Sequence, residues 1–425
     1  MITKFQLQLR SSFVGASFLL AILVVTSCAS YTEQTTAIHQ DFISSKYQSA
    51  LDHLDKSGLD PDSKNGLLYF LEKALILDRM DNLESSRKLL LQADIKADQL
   101  YTKSLSKQIA SYIVSEDQTE YAGEDYERIA IHTFLALSFL EQGRLNEARV
   151  EARKINNKSA EINQQYSENE NRYKEDGFAW LLSGLIYEAR GEYDDAIIDY
   201  VKALNSYESR FSRYSAGIPE ALIMSLANVA TIRNRLEILK RLSITYPSMI
   251  SRYKLPLKGF SYVFMAERGS ILRKRSESFF IEINNQIVRY SWPVLEKPVI
   301  QSRYPAVRLG GDQIPFQEAI NFSSIASDSL EDKRLRFTVK SFARLTAKAA
   351  IIDNLEKKFG PLGGFLANVF FAFTETADTR SWTLLPNDIG LARVQSETAF
   401  NAYQIEGENM PILKTSGDIG FVRIK

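Results

Sequence analysis

Apolar residues recur at helical spacing through the first half of the chain, most clearly in residues 180–204. In WLLSGLIYEARGEYDDAIIDYVKAL, two runs with this spacing flank a turn at Gly191, where glycine supplies the backbone freedom that a helix end needs. Small residues at Gly184 and Ala196 allow two helices to approach each other closely. The pattern predicts an antiparallel helix pair.

Weaker copies of this pattern precede it. Residues 126–155 place small residues at the corresponding positions, Ala136, Gly143 and Ala148. A third copy spans residues 67–94, where an aspartate stands at the position of the turn glycine. Repetition of this kind predicts stacked helix pairs that share one continuous core.

Further helical segments flank these copies. KYQSALDHL (46–54) resembles half a pair, and residues 221–247 have helical apolar spacing that ends at a proline. The polar stretch 156–176 is interpreted as an extended helix or an exposed connection, and its carboxylates as a solvated face. We therefore expect an all-α helical-repeat domain over residues 46–250.

From about Lys258 the apolar pattern changes to a period of two. GFSYVFMAERG, AVRLGGDQIPF and GDIGFVRIK each predict strands, and SESFFIEINNQIVRYSW predicts a hairpin that turns at Asn284-Asn285-Gln286. Prolines interrupt this region, so its strands are expected to be short or at sheet edges. We expect a C-terminal mixed α/β domain over residues 258–425, rich in short antiparallel strands, and an α+β fold overall.

A helical block, residues 328–373, interrupts the predicted strands. It carries a basic row at steps of four, which is interpreted as an exposed helix face, with lipid headgroups or an acidic partner as alternatives. The row consists of Lys340, Arg344 and Lys348. After Gly360-Pro361 comes the uncharged LGGFLANVFFAF (362–373), too short to cross a bilayer. A buried helix is expected there, and a membrane-dipping or partner-buried helix is the alternative.

The first 27 residues have the layout of an export signal. A basic start with Lys4 and Arg10 precedes a short apolar run, and small residues lead to Cys28, the one cysteine of the sequence. The apolar run of about 13 residues is shorter than the roughly 20 that span a bilayer. Residues 28–45 are polar and are expected to form a tether.

Composition narrows the classes of function. Lys and Arg number 52, as do Asp and Glu, so the formal net charge of zero gives no basic surplus for binding nucleic acid. Three histidines and one cysteine leave little for a metal site, and we expect no metal and no cofactor. The motifs GxSxG, HExxH, GxxxxGK[ST] and GxGxxG are absent, so we expect no enzyme, although a carboxylate-only glycan hydrolase has no motif to exclude it.

Two motifs resemble known families. Residues 25–28, Val-Thr-Ser-Cys, resemble the lipobox of bacterial lipoproteins, which implies cleavage before Cys28 and its acylation, as with palmitate. Ala29 after the cysteine implies sorting to the outer membrane. Residues 180–204 resemble a tetratricopeptide (TPR) repeat, which has a packing signature at characteristic spacings. The signature residues are Trp180, Gly184, Tyr187, Gly191, Tyr193, Ala196, Tyr200 and Ala203, with Ala136, Gly143 and Ala148 in the preceding copy.

GEDYER (123–128), ALSFLEQG (136–143) and ADTRSWTLLP (377–386) together resemble a family of bacterial outer-membrane lipoproteins with TPR repeats and an ADTRSW-like C-terminal segment. The resemblance spans most of the chain after Cys28. It implies an envelope role beside factors that regulate peptidoglycan synthesis.

The ADTRSW segment concentrates polar and aromatic side chains in a few residues. Asp378 and Arg380 suit a bidentate pair that holds the entry to a strand, with Trp382 stacked on the core. The alternative is that these three residues contact a ligand or partner. We favour the architectural interpretation, because no nucleophile with a base lies near them in the sequence.

We expect a lipid-anchored scaffold that faces the periplasm and binds other envelope proteins through the surface of its helical repeats. Its expected membrane contact is the lipid on Cys28. The first alternative is a glycan-binding or glycan-processing accessory that acts through the C-terminal domain. The second is an envelope assembly in which residues 362–373 form an oligomer interface.

Overall fold

A computed structural model describes the chain in seven stretches. These are residues 30–107, 116–164, 176–214, 217–283, 285–296, 303–412 and 419–425. The predicted export signal and Cys28 lie outside them, as do residues 165–175 of the polar insertion. So do the side chains of residues 335–342, among them Lys340 of the basic row.

Two short helices, α1 (Tyr31–Gln34) and α2 (Thr36–Ile43), open the described chain. Tyr31, Ile38 and Phe42 are buried in the main core. The chain from residue 31 is therefore packed helix and not the polar tether that the sequence suggested. The prediction missed it because two short helices with a break between them do not produce a long apolar period.

Five helix pairs follow one another in the described part of the repeat half. They are α2 with α3 (Tyr47–Lys56), α4 (Gly66–Arg79) with α5 (Leu83–Lys107), α6 (Asp125–Glu141) with α7 (Leu145–Gln164), α8 (Gly177–Ala189) with α9 (Tyr193–Tyr214), and α10 (Glu220–Ile232) with α11 (Leu236–Thr245). A single helical turn, α12 (Pro247–Ile250), follows them. The half repeat at 46–54 is thus the second helix of a complete pair.

All five pairs turn in the same way. Two residues before each second helix the backbone enters the left-handed region, at Ser45 (φ 58°), Asp81 (57°), Gly143 (69°), Gly191 (75°) and Asn234 (53°). Aspartate and asparagine tolerate this conformation better than most residues with side chains. Asp81, which stands at the glycine position in the third predicted copy, therefore preserves the turn. With five pairs that turn alike, the described repeat half is a TPR-like array.

The strands and the long helix of the second half are as follows. They are β1 (Phe260–Arg268), β2 (Lys274–Ile283), β3 (Gln286–Leu295), β4 (Val307–Leu309), β5 (Asp312–Gln313), β6 (Gln317–Asn321), α13 (Phe322–Thr374), β7 (Asp388–Ser396), β8 (Ala402–Ile405), β9 (Glu408–Pro411) and β10 (Ile419–Ile424). The prediction of an α+β fold is confirmed, as is the hairpin β2–β3.

Two four-stranded sheets make up most of this half. The first has the order β10-β1-β7-β6, with β1 parallel to β10 and antiparallel to β7, and the second has the order β5-β4-β8-β9. β1 is buried on both sides. Val263 and Met265 belong to the main core with the repeats, whereas Tyr262 and Phe264 pack against the second sheet. The first sheet is therefore sandwiched between the repeat stack and the second sheet.

One core spans both halves. Leu71 and Phe134 of the repeats belong to the same buried cluster as Val263, Leu391 and Trp382 of the C-terminal half. The change of pattern near residue 258 is thus a change of secondary structure and not a gap in packing.

The hairpin β2–β3 and residues 344–374 of α13 form a separate unit, which we call the arm. The arm has its own small core. Its buried members are Ile283, Val288, Leu345, Ala349, Ile352 and Ala367. α13 is broken at Gly360 (φ 73°), and beyond the break an added Cβ on Gly364 would lie 2.8 Å from Cβ of Glu356. The second segment of α13 therefore folds back onto the first.

The second segment of α13 does not form the buried helix that we predicted for residues 362–373. Leu362, Phe365 and Phe370 are 65%, 62% and 58% exposed, whereas Gly364 and Ala367 face inward. The reason is that two antiparallel segments and a hairpin cover only one side of this helix. No helix in the described ranges is long and apolar enough to cross a membrane.

Candidate functional site: the inner face and the segment that fills it

The first helices of the pairs, α4, α6, α8 and α10, form what we call the inner face of the stack. In such stacks the concave side is the usual binding surface for other proteins. In this protein α6, α8 and α10 are buried nearly all round, because β10, β6 and β7 of the first sheet pack against them in that order. The expected binding groove is therefore filled by the chain's own C-terminal half.

Two buried carboxylates mark this face, Glu72 on α4 and Glu127 on α6, each 1% exposed. A buried carboxylate is costly unless hydrogen bonds satisfy it. Burial raises the pKa of Glu72 to about 7, although hydrogen bonds from Thr383, Tyr31 and Leu384 act in the opposite direction. Burial also raises the pKa of Glu127.

Residues 375–387, which we call the closing segment, supply the donors. The backbone N–H of Trp382 donates to Oε1 of Glu127 at 2.7 Å. The N–H and the hydroxyl of Thr383 donate to Oε1 of Glu72 at 2.7 and 2.8 Å, and the N–H of Leu384 donates to Oε2 at 3.1 Å. Two repeat helices thus hold three consecutive residues of the segment by its backbone.

Asp378 and Arg380 form the bidentate pair that the architectural interpretation requires. Nε and Nη2 of Arg380 donate to the two oxygens of Asp378 at 2.9 and 2.8 Å, and Nη1 donates to the carbonyl of Thr119 at 2.6 Å. The guanidinium also lies 5.2 Å from the ring centre of Tyr121. The pair ties the closing segment to the loop that precedes α6.

Trp382 has no exposed surface, and its ring packs 5.7 Å from that of Phe134 on α6. Arg380 is 3% exposed. Trp382 and Arg380 are therefore covered within the chain, whereas Asp378 keeps 19% of its side chain exposed, and a partner contact made by all three residues has no support in the structure.

Glu124 at the start of α6 joins the closing segment to the arm. It accepts from Nζ of Lys274 at 2.8 Å and from Lys333, and Lys274 also donates to the carbonyl of Arg380 at 3.1 Å. Burial alone would raise the pKa of Glu124, but the two lysines outweigh it and hold the pKa below its usual range.

Arginines of the first sheet complete the contact. Arg393 donates from Nη1 and Nη2 to the two oxygens of Glu188 on α8, at 2.7 and 2.9 Å. Arg423 donates to both oxygens of Asp78 on α4 at 2.9 Å and to Glu267 at 2.6 Å. Acids of the inner face are thus matched by donors of the C-terminal half.

The signature residues of the repeats act in packing. A Cβ on Gly184 would lie 2.5 Å from the ring of Tyr200, so only glycine allows α8 and α9 their present spacing. Ala136, Ala148, Ala196, Tyr200 and Ala203 have no exposed surface, and Trp180 and Tyr187 are 5% and 7% exposed. Their burial shows that they stabilise the stack.

The row of basic residues predicted on α13 is not an open face where it is described. Arg344 and Lys348 both donate to the buried carboxylate of Glu375, Arg344 at 2.7 Å. They hold the start of the closing segment against the arm.

His132 lies on α6 between two carboxylates. Its ring nitrogens are 3.2 Å from Asp94 and 2.8 Å from Glu151. Burial lowers the pKa of His132, but these acids outweigh it and raise the pKa. The described residues include no group of three or more side chains that is arranged to hold a metal ion.

Sequence reasoning missed the acids of the inner face. Glu72 stands alone inside the apolar run LLYFLEKALIL, and Glu188 follows the apolar run of α8. A single acid within such a run is a usable signal, because a buried charge needs a partner from elsewhere in the chain. The partner of Glu72, however, is Thr383, which lies 311 residues away and is not marked by any local sequence pattern.

No model of a protein family matches the chain, and no curated protein sequence matches it. Its structural neighbours include TPR-like repeats of a kinesin light chain from Podosopora anserina (TM-score 0.33, 14% identity), MamA AMB-1 (0.29, 12%) and the TPR2AB-domain:pHSP90 complex of yeast Sti1 (0.19, 10%). Each comparison covers 52% of this chain and 94%, 96% and 93% of the neighbour. TM-scores this low do not establish a structural relationship. The TPR-like assignment therefore rests on the helix pairs and turns described above.

Proposed function

We propose that this protein is a lipid-anchored scaffold of the cell envelope that binds other proteins through the open end of its repeat stack, at α11. The lipobox-like sequence ending at Cys28 supports the anchor, and Ala29 supports the outer membrane, facing the periplasm. The family resemblance supports a role beside factors of peptidoglycan assembly. The closed inner face changes where a partner would bind.

The proposed protein binding rests on one observation, the exposed apolar residues of α11. This helix belongs to the last described pair, and we call it the open end of the stack. In a repeat array each pair is covered by the next, and a terminal repeat needs a polar outer face to remain soluble. On α11 Leu242 is buried, whereas Leu236 and Ile244 are 65% and 71% exposed. These two apolar residues lie eight positions apart and so share one side of the helix.

A helix of a partner protein suits this surface. Two apolar anchors about two turns apart on α11 match the spacing by which helices dock on helices. Arg233 and Arg235 at the start of α11 both pair with Asp194 of α9, which fixes the helix in place. The partner would extend the stack by one further helix.

A glycan-processing role has less support. A glycoside hydrolase needs two carboxylates that reach the substrate from either side of the bond. Glu72 and Glu127 are instead buried and accept hydrogen bonds from the closing segment. No observation in the described residues favours this alternative.

The anchor is tested by metabolic labelling with an alkyne-tagged palmitate. We expect label on the full-length protein and none on Cys28→Ala. Mass spectrometry of the N-terminal peptide should show residue 28 as its acylated first residue. Equal labelling of the variant would contradict the anchor.

The open end is tested by photo-crosslinking in cells, with p-benzoylphenylalanine in place of Leu236 or Ile244. We expect both positions to capture the same protein, and Leu236→Glu to reduce its capture from position 244 at least tenfold. Val150, which is 51% exposed on α7, is the matched control for both the crosslinker and the glutamate. Capture that is equal from residue 150, or unaffected by the glutamate at residue 236, would overturn the binding surface.

A further inference from the structure

The arm displays a continuous apolar stripe to solvent. On the second segment of α13 the exposed side chains recur at steps of three and four, which places them on one side of the helix. We call these residues, Leu362, Phe365, Leu366 and Phe370, the stripe. An open apolar groove of about 710 Å³ runs along it and extends to Leu355 and Phe359.

The β2–β3 hairpin lies against this helix and has exposed apolar residues of its own. Phe280 and Ile287 are 72% and 59% exposed. The side-chain amide of Asn368 on α13 donates to the carbonyl of Ile287 at 2.7 Å. The strand register, however, places Phe280 and Ile287 on the same face of the hairpin as Glu282 and Arg289, so the uninterrupted apolar surface of the arm is the stripe itself. A contiguous exposed apolar surface marks a membrane or protein contact rather than ordinary surface.

The chemistry of the stripe favours lipid over protein. The sixteen residues between Lys358 and Glu375 contain no Asp, Glu, Lys or Arg. The hot spots of protein interfaces are enriched in Trp, Tyr and Arg, and Leu is under-represented among them, whereas the stripe consists of two Phe and two Leu with no polar group to orient a partner. Acyl chains need no such groups. Lys357 and Lys358, both exposed, stand at one end of the stripe, where headgroup phosphates would lie.

The described chain begins beside the base of the arm. The hydroxyl of Thr32 donates to the carbonyl of Lys274 at 2.6 Å, and Arg273 donates to the carbonyl of Thr32. Cys28 is four residues before Thr32, roughly 14 Å of extended chain. β2 then extends about 30 Å from this base to the tip. A bilayer that held a lipid on Cys28 would therefore be within reach of the arm.

The dimensions suit a helix that lies along a bilayer surface. Residues 361–374 span about 21 Å as a helix, less than the roughly 30 Å of a hydrocarbon core. Helices with one apolar side and basic residues beside it bury that side at the boundary between headgroups and acyl chains.

We propose that the arm lies on a phospholipid bilayer, with the stripe among the acyl chains. This gives the protein a second membrane contact besides Cys28, and it fixes the orientation of the repeat stack relative to the membrane. The inference rests on the proposed function for the nearby anchor, but the contact itself is measured separately.

The test places p-benzoylphenylalanine at residue 362, 365 or 370 of the full-length protein in cells, one position at a time. The cells are fed an alkyne-tagged fatty acid that enters phospholipids. Trypsin releases residues 359–380 as one peptide, because no Lys or Arg lies between Lys358 and Arg380. Lipid captured by the arm is thereby separated from lipid attached to Cys28.

We expect light-dependent phospholipid adducts on peptide 359–380 from all three positions. The control is position 244 on α11, which is 71% exposed and lies on the tryptic peptide 242–252, where we expect no lipid adduct. Adducts of the arm to a second copy of this chain or to another protein, in place of lipid, would overturn the proposal. So would the absence of any adduct.

The same experiment in Cys28→Ala separates the two proposals. Loss of label from the N-terminal peptide alone, with adducts still formed on peptide 359–380, supports the contact of the arm. Label on Cys28 without adducts on the arm overturns the arm while the anchor stands. If Cys28 carries no label in the unaltered protein, the anchor fails, and adducts on 359–380 still support the arm.

Discussion

The repeat stack and the two four-stranded sheets, which together we call the body, differ from the arm in where charged and apolar side chains lie. In the body, acids and arginines lie in the interior, for example Arg393 and Glu188, each with 2% of its side chain exposed. In the arm, Phe365 and Phe280 stand mostly in solvent while the interior contains aliphatic and small residues. The body therefore has its partners within the chain, whereas the arm has apolar surface left over.

This difference separates architecture from interaction. A buried ion pair fixes one arrangement, because any shift would leave a charge without its partner. The pairs between the inner face and the C-terminal half thus hold the body closed over the inner face, as far as the described residues extend. Surfaces for other molecules must then be sought where apolar side chains remain exposed, at α11 and on the arm.

The largest expected effect comes from breaking a buried pair of the body. Arg423→Ala would remove the cation that Asp78 and Glu267 share. Because each acid keeps one other cation nearby, we expect a cost at the lower end of the roughly 3–5 kcal/mol by which a broken buried pair reduces the free energy of unfolding. Urea denaturation measures it. The matched control is Arg252→Ala, whose ion pair with Glu220 has the arginine 60% exposed and should cost less than about 1 kcal/mol. Equal effects of the two substitutions would contradict the distinction between buried and exposed pairs.

The second prediction concerns pH. The pKa of Glu72 is about 7 in the folded protein against an ordinary 4.5, so between these values the folded state binds a proton that the unfolded chain releases. The contribution of this group to stability is therefore greatest below pH 4.5 and declines as the pH rises through 7. The decline is on the order of 3 kcal/mol.

Glu72→Gln isolates this effect, because the amide does not titrate. We expect the unfolding free energy of the unaltered protein, minus that of the variant, to fall as the pH is raised from 5 to 8. Denaturation of both proteins at each pH measures the difference. A difference that stays constant with pH would show that Glu72 does not titrate in this range.

The structure also shows which of its features the sequence could predict. The helix pairs, the strands and the hairpin were predictable because each has a local period, and Gly191 marked its turn correctly. The closure of the inner face was not predictable. It depends on residues such as Glu72 and Thr383, which are 311 positions apart and carry no spacing code.

The same limit explains the misassigned segments. Residues 362–373 were expected to be buried because they are uncharged, but burial depends on what else packs there, and the arm offers too little. Asp378, Arg380 and Trp382 allowed two interpretations from the sequence alone. The covering helix α6 decides between them, and its position is a tertiary feature.

A smaller effect is expected from overpacking the repeat interior. Gly184→Ala would place a methyl group 2.5 Å from the ring of Tyr200, and we expect a loss of roughly 1–3 kcal/mol from the displacement of that ring. Thermal unfolding measures it. Gly217→Ala is the matched control, because no atom lies within 4 Å of its added Cβ. A neutral Gly184→Ala would mean that α8 and α9 separate more easily than their packing indicates.

The smallest effect is expected on the outside of the arm. Phe365→Ser should change the free energy of unfolding by no more than about 0.5 kcal/mol, because the side chain is already mostly exposed. Ile352→Ala, in the core of the same arm, should cost about 2–5 kcal/mol. Hydrogen exchange of the arm amides detects both. A large loss in the free energy of unfolding from Phe365→Ser would show that the stripe stabilises the fold and is not free surface.

The ion pair between Asp78 and Arg423 also has a consequence for biosynthesis. These residues are 345 positions apart. At a ribosomal rate of about 5–20 residues per second, Asp78 waits roughly 17–70 s before its arginine exists. Throughout that interval Asp78 lacks the arginine with which it is buried in the folded body. β10, which carries that arginine, therefore completes the closure of the body from the distant end of the chain.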